Sequence, residues 1–129
     1  MDIAIDLGVR RTLATYCQTC DDGRFDEFGG CFTTDAVVVV MGQEIHGREA
    51  IQAWITDAMP EKRRGRHITI NSLIDSDAEP VSAVSDFAFL AIRPELRISV
   101  AGRYHDQFRL DGGRWRFSRR EIQLLGPVG

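Results

Sequence analysis

Two alternating runs around a tight turn dominate the last third of the chain: residues 98–110 read ISVAGRYHDQFRL, residues 111–113 read DGG, and residues 114–125 read RWRFSRREIQLL. Side chains alternate between the two faces of a strand, and Asp-Gly between alternating runs is a hairpin signal. The stretch therefore predicts a long β-hairpin. The apolar face of its first strand contains a single acid, Asp106, whose carboxyl group must be paired, protonated or hydrated.

Upstream of the hairpin, the hydrophobic pattern changes from helical to strand-like. Helices are predicted over residues 6–21, 25–32 and 47–58. Strands are predicted over residues 36–41, 44–46, 67–76 and 81–92, followed by the two strands of the hairpin. Helices that precede a run of strands indicate an α+β fold, in which three N-terminal helices pack on one face of a strongly curved antiparallel sheet.

Length and composition limit the class of protein. The chain has 129 residues, 43% hydrophobic content and a net charge of -3, so we expect a single domain over residues 1–129. Without a basic excess, no nucleic-acid partner is expected. No stretch approaches the roughly 18 apolar residues of a membrane helix, and residues 1–11 do not look like a secretory signal. We therefore expect a cytoplasmic protein with no membrane contact.

The cysteines and the one basic cluster offer little chemistry. Three cysteines, an odd number, are expected to be reduced: Cys17, Cys20 and Cys31. Cys17 and Cys20 form half of a zinc pattern without a second half, and they share a helical stripe, which favours core thiols. No metal and no cofactor are expected, because no glycine-rich phosphate loop is present. Residues 61–66 (EKRRGR) follow Pro60 and predict a solvated loop.

Six short segments, taken together in order and spacing, resemble the SnoaL-like branch of the nuclear-transport-factor-2-like superfamily. They are residues 13–17 (LATYC), 22–26 (DGRFD), 31–37 (CFTTDAV), 47–51 (GREAI), 66–68 (RHI) and 102–106 (GRYHD). The resemblance covers nearly the whole chain and implies a cone-shaped α+β barrel with a pocket open at one end. That superfamily includes polyketide cyclases, dehydratases, isomerases and non-catalytic modules, so the resemblance alone implies no single reaction.

Tyr16 and His67 are the first two candidate site residues. Tyr16 lies on the apolar stripe of the first helix, where it is either a pocket tyrosine or a core tyrosine with a satisfied hydroxyl. His67 begins a strand and shares a polar face with Thr69 and Asn71. The resemblance to the dehydratases implies that His67 acts as an acid or base, for which its unperturbed pKa of about 6.5 is suitable. A structural hydrogen-bonding histidine is the alternative.

Asp86 and Asp106 complete the candidate set. Asp86 has apolar neighbours on its strand face, and the order of Tyr16, His67 and Asp86 resembles the bile-acid dehydratases. Alternatively, an arginine on a neighbouring strand, Arg103 or Arg119, pairs with Asp86. Tyr16 and Asp106 resemble the two hydrogen-bond donors of ketosteroid isomerase. The general base of that enzyme, however, would fall near Val40, and valine cannot abstract a proton.

The expected function is therefore a cofactor-independent lyase or isomerase, of dehydratase or cyclase type, acting by proton transfer on a small apolar ring-bearing substrate. His67 would be the base, Asp86 would orient it or share the proton, and Tyr16 and Asp106 would donate hydrogen bonds to an enolate oxygen. The alternatives are a non-catalytic module that binds a ligand or partner, and a dioxygenase small subunit. Convergence of the four side chains on one cavity would favour the enzyme, and scattered positions would disfavour it.

The same resemblance implies a homodimer that forms through the outer face of the sheet. The arginines and the glutamate of residues 114–121 would either line that interface or be solvated.

Overall fold

The protein, described here by a computed structural model over residues 1–126, consists of three helices and a short 3-10 turn on one six-stranded sheet. The helices are α1 (Ile3–Asp21), α2 (Phe25–Gly29) and α3 (Arg48–Ala58), and the 3-10 turn covers Glu61–Arg63. The strands are β1 (Phe32–Val40), β2 (Gln43–His46), β3 (Arg66–Asp75), β4 (Val81–Ala91), β5 (Arg97–Asp111) and β6 (Arg114–Leu124). The predicted α+β order is confirmed. Within residues 1–126, no helix is long and apolar enough to cross a bilayer.

The sheet has the order β2-β1-β6-β5-β4-β3 and is mixed rather than wholly antiparallel. The predicted hairpin is present, with Asp111 opposite Arg114 across the turn. β1, however, runs parallel to β6, its neighbour in the sheet. Hairpin signals identify only partners that are close in sequence, so they could not predict this long-range pairing. Because β2 and β3 form the two edges, the sheet is open and does not close into a barrel.

The core lies between α1 and the concave face of the sheet. The helical stripe of α1 is buried there, including Val9, Leu13 and Cys20. These side chains meet a cluster of aromatic rings, in which Phe32 and Phe117 lie 5.2 Å apart between centroids. Burial of one large apolar side chain contributes about 1.5–3 kcal/mol to stability. This packing fixes the last turn of α1 beside the first residues of β3.

A bulge at Asn71 reverses the alternation of β3. Asn71 has a φ of 54°, and the register with β4 shifts between Ile70 and Leu73. Before the bulge, His67 and Thr69 face inward, and after it the inward residues include Ile74, which packs against the core. The expectation that Asn71 shares the face of His67 was therefore wrong, because strict alternation does not continue through a bulge.

A second register shift affects β6. Phe108 pairs with Phe117 and Gln107 pairs with Arg119, which leaves one extra residue, Ser118, on β6. Consequently, Phe117 and Arg120 both point into the core although three positions separate them. The expectation that the arginines of residues 114–121 are exposed was wrong for Arg120, which is completely buried.

Candidate functional site

His67 and Asp21 form a buried dyad where the end of α1 meets the start of β3. The Nδ1 atom of His67 lies 2.6 Å from Oδ1 of Asp21, and the backbone N–H of His67 donates to Oδ2 of the same carboxylate at 2.9 Å. The side chains of His67 and Asp21 are only 10% and 5% exposed. These two contacts fix the position of the ring relative to the helix.

The partner of Nδ1 determines the protonation pattern of the imidazole. A carboxylate accepts hydrogen bonds and donates none, so Nδ1 carries a proton and the neutral ring has its lone pair on Nε2. Within residues 1–126, no side chain or backbone group forms a hydrogen bond with Nε2. The dyad therefore has a base at Nε2 and a carboxylate placed to stabilise the imidazolium that forms on protonation.

A groove of about 770 Å³ opens between α1 and β3 beside this dyad, and we name it the α1–β3 groove. Its volume lies within the range of about 300–1,000 Å³ that is typical of small-molecule sites. Its lining includes apolar residues (Leu13, Ala14, Ile68 and Leu90) and small polar residues (Cys17, Thr69 and Ser72). It also includes two cations, Arg10 from α1 and Arg66 from β3. His67 and Asp21 belong to the same lining, so the dyad is in contact with the groove.

Asp86 does not reach the α1–β3 groove. The inward residues of β4 are the odd-numbered ones, such as Ser85 and Phe87, so Asp86 lies on the outer face. There it accepts from Nε of Arg103 at 2.9 Å and from Nδ2 of Asn71 at 3.4 Å. The Arg103 hydrogen bond lowers the pKa of Asp86. The carboxylate partner of His67 is therefore Asp21 and not Asp86. Asp86 instead pairs with Arg103, which was the alternative expectation.

Asp106 lies in the core, where it pairs with Arg120. Nε and Nη2 of Arg120 donate to the two Asp106 oxygens at 2.8 and 3.1 Å, and both side chains have no exposed surface. The guanidinium carbon lies 3.4 Å from the ring centroid of Tyr104 and 4.4 Å from that of Phe117. Both carboxylate oxygens are thus engaged by a cation. This arrangement leaves Asp106 unsuited to donate a hydrogen bond to an enolate.

The charges of this pair depend on each other. Burial disfavours the charged form of Arg120, but the Asp106 carboxylate beside it holds the pKa of the guanidinium above its usual range. Burial also raises the pKa of Asp106, and the charge of Arg120 offsets part of that rise. Within residues 1–126, Nη1 of Arg120 is a buried nitrogen without a hydrogen-bond partner. The pair is therefore an internal structural element of the core.

Tyr16 is also enclosed in the core. Its ring packs 4.8 Å from Phe28 and 6.2 Å from the His67 ring, and burial raises its pKa well above the usual range, so the hydroxyl stays neutral. Tyr16 does not line the α1–β3 groove. The four predicted residues therefore do not converge on one cavity. Only His67 lines the groove, Tyr16 and Asp106 lie behind it in the core, and Asp86 is on the opposite face.

Sequence reasoning missed Asp21 and Arg120. Asp21 is the last residue of the first predicted helix, and it follows Leu13 and Cys17 at intervals of four, so it continues their stripe. That spacing was the signal that could have identified it. No sequence spacing identified Arg120 as a core residue. Strict alternation would place it on the face opposite to Phe117, but the extra residue in β6 turns both side chains inward.

Cys20 adds a third potential metal ligand next to the dyad. The ligand atoms of Cys20, Asp21 and His67 lie within 4.8 Å of one another. Burial raises the pKa of the Cys20 thiol to about 12, which disfavours the thiolate that a metal requires. The Asp21 carboxylate is already occupied by two contacts with His67. The chemistry of this set fits a histidine–carboxylate pair better than a metal centre.

Comparison with known structures places this architecture among proteins of one fold. Rv3472, a protein of unknown function from Mycobacterium tuberculosis, has a TM-score of 0.90 and 25% identity over 98% of this chain and 80% of its own. A Novosphingobium aromaticivorans protein, provisionally named a scytalone dehydratase, has a TM-score of 0.83 and 22% identity over 96% and 86% of the two chains. ActVI-ORFA from Streptomyces coelicolor has a TM-score of 0.82 and 17% identity over 94% and 97%. The last two likenesses show the fold alone.

Sequence comparison identifies the family more directly. No curated protein matches the sequence. The model of the SnoaL-like domain, however, matches residues 2–121, which is most of the chain. The protein therefore belongs to the SnoaL-like domain family.

Proposed function

We propose that the protein is a cofactor-independent lyase or isomerase, of dehydratase or cyclase type, that moves a proton on a small apolar ring-bearing carbonyl compound. The observation that carries this proposal is the 2.6 Å contact between Nδ1 of His67 and Oδ1 of Asp21 at the wall of the α1–β3 groove. A base oriented by a carboxylate beside a ligand-sized groove is the arrangement that general base catalysis requires.

The chemistry assigned to the dyad is a single proton cycle. Nε2 of His67 takes the proton from the carbon next to the substrate carbonyl, and the electron pair of that C–H bond forms an enolate. In a dehydration, the enolate then expels a β-hydroxyl group, which leaves as water with the proton returned by the imidazolium. In an isomerisation, the imidazolium returns the proton to another carbon. Asp21 stabilises the imidazolium in both cases.

The groove supports the substrate class. Its apolar side chains, including Leu13 and Leu90, suit a ring, and its hydroxyl groups on Thr69 and Ser72 suit a carbonyl or hydroxyl substituent. The provisional name of the Novosphingobium aromaticivorans neighbour also supports dehydratase chemistry for this fold.

A proton-exchange assay tests the proposal. Cyclic ketones and β-hydroxyketones are incubated with the protein in D2O, and NMR follows deuterium incorporation at the α-carbon. We expect exchange above the buffer rate, and His67→Ala should reduce it by about 10²–10⁴-fold. His105→Ala is the matched control, because His105 is exposed and its Nε2 lies 2.9 Å from Oε1 of Gln123 on the outer face. Equal rates in His67→Ala and the wild type would contradict the proposal.

A non-catalytic ligand-binding module is the second candidate. The observation that favours it is the enclosure of Tyr16 and the Asp106–Arg120 pair in the core, which leaves the groove without the expected donors for an enolate oxygen. In that case ring ketones would bind in the α1–β3 groove, with chemical-shift changes at Thr69 and Ser72, and none would exchange its α-proton faster than buffer.

We also propose that the protein is a homodimer that forms through the outer face of β3 and β4. Apolar side chains project there, with Ile70 49% and Leu73 78% exposed, and Leu73 is paired with exposed Val84. Adjacent exposed apolar side chains commonly mark an interaction surface, and a two-fold dimer needs only one self-complementary patch. The three unpaired cysteines support a reducing location such as the cytoplasm.

A further inference from the structure

A second cavity lies away from the dyad, at the end of the sheet where β4 leads into β5. It has a volume of about 400 Å³ and is bordered by the end of α3, the 3-10 turn and the first residues of β5. Five cationic residues line it, and we name it the cationic groove: Lys62, Arg63, Arg64, Arg93 and Arg97. Three of them come from the cluster that the sequence had predicted as a merely solvated loop. The Arg64 guanidinium lies over the ring of Phe25, which does not line the groove, so the charge in the groove comes from the other four.

Among the described residues, these cations have no carboxylate partners. Within residues 1–126, none of the five forms an ion pair. Three contact backbone carbonyls instead: Arg64 donates to Met59 at 3.2 Å, Arg93 donates to Glu61 at 3.2 Å, and Arg97 donates to Arg93 at 3.3 Å. Carbonyl contacts orient a guanidinium group but leave its charge uncompensated. The cationic groove is therefore a concentration of positive charge on a chain whose net charge is -3.

The same groove has an apolar floor, formed by Met59, Phe89, Ile92 and Val100. Phe89 also connects the groove with the dyad, because its ring centroid lies 4.7 Å from that of His67. A concave apolar surface beneath the charges is not explained by a loop that is merely solvated. Apolar walls combined with a few polar groups are the usual composition of a small-molecule site.

We propose that the cationic groove binds an organic carboxylate whose body is an apolar ring or chain. The carboxylate contacts the arginines and the lysine at the rim, since guanidinium groups match carboxylate geometry. The apolar body rests on Met59 and Phe89. The Phe89 ring packs in turn against the His67 ring. This inference does not rest on the catalytic role of His67, because binding here needs only the charges and the apolar floor.

Binding of 2-naphthoate provides the test, with 2-naphthalenemethanol as its uncharged counterpart. Calorimetry measures affinity, and NMR shifts locate the site. We expect 2-naphthoate to shift signals of Met59, Phe89 and Val100 and to bind at least about tenfold more tightly than the alcohol, because charge-assisted hydrogen bonds are lost with the carboxylate. The affinity should fall as salt is added.

The double variant Lys62→Ala/Arg63→Ala should weaken 2-naphthoate binding by about tenfold, since both side chains are exposed and lie at the rim. Arg11→Ala/Arg114→Ala removes the same charge from exposed positions outside the groove and should leave affinity unchanged. Equal affinity in the first variant and the wild type would overturn the inference. So would shifts confined to the α1–β3 groove, or no binding of 2-naphthoate at millimolar concentration.

Discussion

At the scale of single residues, Asp21 and Asp106 differ in the side chain that each carboxylate binds. Asp21 holds a titratable imidazole beside the α1–β3 groove, whereas Asp106 holds a guanidinium that is charged at any physiological pH. Only the first arrangement can exchange a proton with a ligand. Asp106 attracted attention in the sequence because it is an acid on an apolar strand face. Its physical explanation is a buried ion pair enclosed by aromatic rings.

The buried pair makes a prediction about stability. Asp106→Asn should lower the free energy of unfolding by about 3–5 kcal/mol, because it leaves Arg120 charged and unpaired in the core. The double variant Asp106→Leu/Arg120→Met should lose much less, since it removes both charges and keeps apolar volume. Chemical denaturation measures both values. Similar losses in the single and double variants would show that the pair stabilises the fold through packing rather than through compensated charge.

At the scale of secondary-structure elements, the bulges decide which residues enter the core. The bulge in β3 moves Asn71 to the outer face, where it contacts Asp86, and the extra residue in β6 directs Arg120 inward. Each strand would place its side chains differently without these irregularities. The position of His67 is unaffected because it precedes the bulge of its strand.

The conformation of Asn71 can be tested with two substitutions. Asn71→Ala should destabilise the protein by about 1–2 kcal/mol relative to Asn71→Gly, because alanine is disfavoured at a φ of 54° and glycine is not. Both variants lose the contact with Asp86, so their difference isolates the backbone effect. Thermal and chemical denaturation give the two stabilities. Equal stability of the alanine and glycine variants would mean that Asn71 does not require this backbone conformation.

These elements also show what the sequence could predict. Periodicity identified the helices, the strands and the hairpin, because each depends on residues close in sequence. Asp86 does share its strand face with apolar neighbours, as expected, but alternation cannot say which of the two faces of a strand turns inward. The Asp21–His67 pair and the Asp106–Arg120 pair required a contact between distant segments and, for Arg120, a bulge that no local pattern announces.

At the scale of the whole molecule, the two faces of the sheet have different surroundings. The concave face and α1 enclose the core, the dyad and the α1–β3 groove, whereas the outer face exposes apolar residues around the Asp86–Arg103 pair. A ligand and a second copy of the chain could therefore be bound at the same time. The cationic groove lies at the end of the sheet and shares no lining residue with the α1–β3 groove.

The proposed homodimer can be tested by disrupting its apolar patch. Light scattering after gel filtration should give twice the mass of one chain for the wild type. Ile70→Glu/Leu73→Glu should give a monomer, because two carboxylates would have to be desolvated in the interface. Leu7→Glu, a comparable change at an exposed position of α1, should remain a dimer. A monomeric wild type, or a dimeric double variant, would contradict the proposed interface.

The rate of α-proton exchange in Asp21→Asn, compared with Asp86→Asn, tests the central claim most directly. Both substitutions neutralise one carboxylate with little change of shape, but only Asp21 contacts His67. We expect Asp21→Asn to slow exchange on a responsive cyclic ketone by about 10²–10⁴-fold, because the imidazolium loses its carboxylate, and Asp86→Asn to retain the wild-type rate. An unchanged rate in Asp21→Asn, or an equal loss in Asp86→Asn, would contradict the assignment of proton transfer to the His67–Asp21 dyad.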